Sequence, residues 1–159
     1  MSDQNKQDDE QNKLPSFTLE KIYLRDLSFE SPRPIETLVK PVDRADINFQ
    51  LNTEIRKPAE DVYEVTLVVT VTALKEKVAL YLVEVKQAGL FTLRGFPEEE
   101  LKAMLNVACP NMLFPYAREV ISNMVERGGY PQMLLKPMNF DAIYTQHIEQ
   151  QTQEKKANA

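Results

Sequence analysis

Cys109 and His147 are the one cysteine and the one histidine of a 159-residue chain. They are therefore the sole pair from which a thiolate nucleophile and an imidazole base could be assembled. Such a pair also needs a group that orients the base, and no constellation of acid, base and nucleophile completes it. The plain reading of both residues is a place in the core or on the surface. No cluster of Cys and His has the spacing of zinc ligands, and the scattered Asp and Glu do not make a calcium loop. The four glycines, Gly89, Gly95, Gly128 and Gly129, write neither a phosphate-cradling loop nor a dinucleotide fingerprint. The chain is expected to be no enzyme and to use no metal or cofactor.

What remains is the chemistry of surfaces. A net charge of -5 and a pI near 5.0 disfavour nucleic acid and anionic membranes, which attract Lys and Arg, and suit a basic protein partner. A lone cysteine forms no intrachain disulfide, and residues 1–13 hold no apolar run for a signal peptide or membrane span. Both point to the cytoplasm, with no membrane insertion. The length suits one domain, expected over residues 15–150. Residues 1–14 and 151–159 are polar and aperiodic, and are expected to form mobile tails.

The elements that must carry these surfaces can be read from periodicity. Phe17, Leu19, Ile22 and Leu24 predict a first strand over Ser16 to Asp26, with a phase change near Glu20 and Lys21 that reads as a bulge. Pro32, Pro34 and Pro41 predict an extended crossover from Ser31 to Ala45. Ile47, Phe49 and Leu51 alternate with Asn48, Gln50 and Asn52, a strand that ends at Pro58. Asp61 to Leu93 reads as a long antiparallel hairpin turning at Lys75, Glu76 and Lys77. Leu80 and Leu82 share a face with Glu84 in this reading, which predicts cover on both sides of the sheet: helices on one, a partner subunit on the other.

After Phe96 the period becomes helical. Pro97 followed by Glu98, Glu99 and Glu100 opens a short helix. Pro110 and Pro115 interrupt the next stretch, though either could sit in a first turn; Tyr116, Val120 and Met124 mark a further apolar face, and Gly128 and Gly129 stop it. Asn139 is a capable N-cap for a last helix with Phe140, Ile143, Tyr144, His147 and Ile148 on one side. Strands first and helices after predict an α+β fold, a four-stranded antiparallel sheet with C-terminal helices packed on one face.

Several segments together resemble the SecB protein-export chaperones. These are RDLSFESP from Arg25 to Pro32, DVYEVTLVVTVTA from Asp61 to Ala73 and ALYLVEVKQAGLF from Ala79 to Phe91. CPNMLFPYAREVISNMVERGGYPQ from Cys109 to Gln132 is the most specific, and PMNFDAIY from Pro137 to Tyr144 comes after it. The resemblance implies an ATP-independent holdase that keeps unfolded precursor proteins translocation-competent and delivers them to the SecA motor, working as a homotetramer built as a dimer of dimers. The alternative is a SecB-like holdase or adaptor serving a dedicated client outside general export.

By that resemblance the client groove maps to Ile47, Phe49, Leu51, Tyr116, Tyr144 and Ile148. The SecA-binding surface maps to Asp26, Glu30, Leu82 and Glu84, and subunit association to Val83, Val85 and Gln87. Zinc at the docking site would belong to the partner's tail. Without the resemblance, each apolar position reads as core and each carboxylate as a solvated charge. The family commonly places a tryptophan in the crossover, where this chain has none and carries Asp43.

Overall fold

A computed structural model describes residues 14–32, 35–40 and 44–159. The expected tail over residues 1–13, with Pro34, Pro41 and Asp43, lies outside the described residues. Four strands, β1 (Ser16–Glu30), β2 (Asp46–Ala59), β3 (Val62–Lys75) and β4 (Val78–Arg94), form one antiparallel sheet in the order β1-β4-β3-β2. Helix α1 (Glu98–Ala103), a π-helical turn (Met104–Ala108) and α2 (Cys109–Arg127) run on without a break, and α3 (Phe140–Ala157) closes the chain. The α+β reading holds.

In an antiparallel sheet opposed residues point to the same side, so the register assigns every side chain to a face. Val65, Leu67, Val69, Val71 and Ala73 of β3 face the helices with Val83, Val85 and Phe91 of β4, and all are fully buried. Helix α2 lies over β4 and β3 and seals this layer with Leu113, Ala117, Ile121 and Val125.

Strand β1 keeps its apolar residues on the same side through two shifts of phase, at Glu20 and at Arg25. One extra residue moves the later side chains to the other face. Phe17 and Leu19, then Ile22 and Leu24, then Leu27 and Phe29 therefore all oppose the helix-facing side of β4. The first shift is the expected bulge. The second carries β1 four residues past its expected end, so that Asp26 and Glu30 are paired strand residues.

Other departures have local causes. Glu76 and Lys77 both take positive φ, 50° and 66°, in a two-residue turn that matches the sheet's twist. Leu80 is an extra residue in β4 between Ala79 and Tyr81, and its side chain is buried in the core cluster instead of sharing the face of Leu82. Pro58 lies within β2, which tolerates it as an edge strand with a register shift between Arg56 and Ala59. A short 3-10 turn, Ile35–Val39, stands in the crossover expected to be extended.

Pro110 and Pro115 do not interrupt the helix: Pro110 sits in its first turn, and the π turn ahead of it carries the Cys109 amide to the Met104 carbonyl. At the far end Gly129, with φ of 79°, donates to Glu126 O while Tyr130 donates to Val125 O, a glycine stop that satisfies the last carbonyls. Asn139 caps α3, its Oδ1 accepting from the Ala142 amide at 3.0 Å. Residues 151–157, within the segment expected to be a mobile tail, continue α3 because Gln, Glu, Lys and Ala extend a capped helix without burial.

Candidate binding surfaces

Ile47, Phe49 and Leu51 of β2 oppose Ala73, Val71 and Val69, so they project to the helix side of the sheet. Here, beyond the reach of α2, Ile47 is 47% exposed, and Phe49 and Leu51 are half-buried against the core. Leu51 opens into a cavity of about 180 Å³ shared with Asn106 of the π turn and Phe140, Ile143, Tyr144 and His147 of α3. Ile47 opens into another, of about 200 Å³, walled by Tyr81, Tyr130, Gln132 and Met133. The stripe of β2 thus joins two hollows along one sheet margin, the one at Leu51 also lined by Asn52, Thr53 and His147.

The outer wall is the irregular connection from α2 to α3. Met133, Leu135 and Met138 turn inward and pack on the core, whereas Leu134 is 66% exposed. Its lower end is fixed by Phe140, whose ring meets Phe114 edge-on at 5.8 Å. Beyond that turn α3 is largely uncovered, and Ile143 and Ile148 keep exposed apolar surface. Methionine is unbranched and polarizable, so a wall that carries it adapts to side chains of different shape.

The structure gathers Ile47, Phe49, Leu51 and Tyr144 along this trough, and Ile148 lies one turn beyond Tyr144 in the neighbouring groove between α3 and α1. Tyr116 is apart, half-exposed on α2 and lining neither cavity. Met133, which walls the cavity at Ile47, is not among the expected groove residues. The apolar run Met133, Leu134 and Leu135 just past the glycine stop is the signal that could have found it.

Among the described residues no helix lies on the opposite face of the sheet. Glu30 opposes Leu82, Ser28 opposes Glu84 and Asp26 opposes Lys86, so Asp26, Glu30, Leu82 and Glu84 share one side of two adjacent strands. Thr70 donates to Glu84 at 3.1 Å. Arg25, re-aimed by its bulge, reaches across to Glu64 at 3.3 Å and Glu54 at 3.8 Å, and Lys86 lies 3.9 Å from Glu54. Tyr23 donates to Glu64 at 2.5 Å; burial first, and then that carboxylate, push its phenol up to about 12. Glu54 and Glu64 are thereby compensated. Among the described residues Asp26, Glu30 and Glu84 join no ion pair, and their charge stands around half-exposed Leu82.

Val83, Val85 and Gln87 lie in the core beneath α2, and Gln87 is satisfied by donating to the Tyr23 carbonyl at 3.1 Å. They offer no surface of their own for association, because the helix-facing side of β4 is sealed within the single chain. Cys109 is fully buried and burial pushes its thiol up to about 12, which keeps it protonated and unreactive. His147 bonds to Gln151 at 3.0 Å on exposed α3. Among the described residues no cluster of His, Cys, Asp and Glu could hold a metal ion, and no helix is long and apolar enough to cross a membrane.

The family model described as preprotein translocase subunit SecB matches residues 10–151. The chain is 43% identical to the protein-export protein SecB of Methylococcus capsulatus, over 97% of this chain and 96% of that one. It is 48% identical to the protein-export protein SecB of Alcanivorax borkumensis, over 90% of this chain and 91% of that one. In fold it is similar to a SecB-like chaperone of Mycobacterium tuberculosis solved with an antitoxin peptide, with a TM-score of 0.65, 18% identity, and coverage of 77% of this chain and 90% of that one. With an α+β sheet that leaves one apolar margin open, and relatives this similar along nearly its whole length, the chain belongs to the SecB family.

Proposed function

We propose that the protein is an ATP-independent export chaperone that holds unfolded precursors in its apolar trough and delivers them to the SecA motor. The observation that carries this reading is the open stripe of Ile47, Phe49 and Leu51, which a folded monomer would be expected to cover. Apolar burial is non-directional, so such a trough accepts extended chain of many sequences, and folded proteins withhold the surface it needs. A contact removing about 600 Å² of apolar surface gains on the order of 15 kcal/mol, most of which association and ordering consume. One trough therefore binds weakly, and a homotetramer, a dimer of dimers in the cytoplasm, gains avidity when one long client spans several copies.

The acidic face supplies the delivery step. Asp26, Glu30 and Glu84 would steer a basic segment of SecA, and Leu82 would anchor it. Val83, Val85 and Gln87 would bear on association by setting the seat of α2 over the sheet. The test is size-resolved binding of one precursor in unfolded and folded forms. The unfolded form alone should bind, to an assembly larger than a monomer; equal binding of both forms would contradict the holdase reading.

A further inference from the structure

We infer that Ser31 and Tyr130 are positioning residues for client capture: their hydroxyls meet on the carbonyl of the bulged Leu80 and tie the cavity wall that opens at Tyr130 to the end of β1. This rests on the holdase reading above and adds to it. Leu80 has no partner in the register of β4 with β3, and β1 pairs no further along β4 than Leu82. The carbonyl that the bulge sets apart is taken by Tyr130, whose hydroxyl donates to it at 2.5 Å, and by Ser31 at 3.3 Å. The two hydroxyls are 2.7 Å apart. With Tyr130 donating to Leu80, the Ser31 proton can be given to the Tyr130 oxygen.

Ser31 follows the last residue of β1, and Tyr130 lies three residues past the end of α2. Ser31 opens the crossover, whose other end brings Arg44 and Ala45 to the cavity shared with Ile47. Tyr130 comes after the glycine stop of α2 and opens the wall that carries Met133. Its ring is 6% exposed and packs 4.7 Å from that of Tyr81, which in turn donates to Met133 Sδ at 3.5 Å. A Cβ on Gly128 would meet the Phe29 ring at 2.3 Å and Tyr130 at 3.1 Å, so the stop is seated against the same aromatic cluster. Core packing alone explains the ring but not the oxygen, since phenylalanine would fill the same space. The oxygen's partners lie on two other segments, and joining them is what it adds.

Tyr130→Phe in the full assembled protein removes only that oxygen. Reduced, carboxymethylated lactalbumin, a permanently unfolded probe, should bind about fivefold more weakly, the size of effect expected for one buried hydrogen bond. Amides of residues 131–136 should exchange faster, while the assembly size and the urea midpoint of α2 and the sheet stay near wild type. Ser31→Ala should weaken binding in the same direction. Wild-type affinity in both single variants overturns the inference, as does weaker binding that tracks loss of assembly. If Tyr130→Phe fails to fold, wild-type affinity in Ser31→Ala alone overturns it. A wild-type protein that does not prefer the unfolded probe defeats the holdase reading instead.

Discussion

Strands β2 and β3 carry the same alternation of apolar and polar residues and lie side by side, yet their apolar stripes have opposite fates. Ala73 is fully buried and the Ile47 opposite it is 47% exposed; Val71 and Val69 are sealed while Phe49 and Leu51 are only half-covered. The sequence pattern is common to both. The difference is the cover, since α2 crosses β4 and β3 while α3 docks by its first turn against the π turn and Phe114. Core and open margin are here the same kind of strand, separated by where a helix stops.

The sharpest way to break this comparison is to truncate both stripes. Leu67→Ala, in the sealed layer, should lower unfolding stability by about 3 kcal/mol, whereas Ile47→Ala should cost less than about 1 kcal/mol, as partly solvated side chains do. Urea unfolding of the assembled protein measures both. Comparable losses would mean that Ile47 is covered in solution and is no binding surface.

Next in size is the effect on clients. Ile47→Asp should weaken binding of an unfolded precursor by about tenfold while the urea midpoint moves little. Titration of a fluorescent unfolded client reads this directly. Unchanged affinity would place capture elsewhere on the molecule.

The two faces of the sheet offer a smaller contrast. Reversing Asp26 and Glu84 to Lys should weaken binding to the cell's own SecA by about fivefold at low salt and flatten the salt dependence, leaving client affinity alone. Were client binding to fall as well, the two faces would not be separate in function.

How much of the fold and the trough is legible in the sequence differs by element. The hairpin of β3 and β4, the Asn139 cap and the glycine stop each rest on local chemistry, so their residues announce them. The bulge at Arg25 is hidden, although the spacing from Leu24 to Leu27 carries it, because a step of three in a strand also reads as a strand end. Pro115 misleads in the other direction, since it lies inside a helix that runs on through it, and ahead of Pro110 a π turn supplies a hydrogen bond that no local propensity contains. The trough is legible only in part. Periodicity places Ile47, Phe49 and Leu51 on one face, but whether a helix covers that face is a fact of tertiary packing. Val83 and Val85 show the converse, with the same kind of pattern ending in the core. Alternation assigns Leu80 to the face of Leu82 because a bulge inside a clean pattern leaves no mark on it.

The smallest effect concerns how the helix-free face holds together. In place of a core it has a polar net across four strands, from Tyr23 and Arg25 on β1 to Lys86, Glu64 and Glu54. The folded chain holds the Tyr23 proton more tightly than an unfolded one, because burial and then the Glu64 hydrogen bond raise its pKa to about 12. A raised phenol contributes stability that is fully present below the unfolded value of about 10 and is lost as pH rises through the folded value. Wild type should therefore exceed Tyr23→Phe in urea midpoint near pH 8, and the gap should close between about pH 10 and about pH 12. Because Glu64 is also held by Arg25, the substitution leaves that carboxylate paired, so the change should stay well below that of Leu67→Ala. A gap that is constant across this range would mean that the Tyr23 hydroxyl bonds Glu64 no better than it bonds water, and that the open face owes its order to the strands alone.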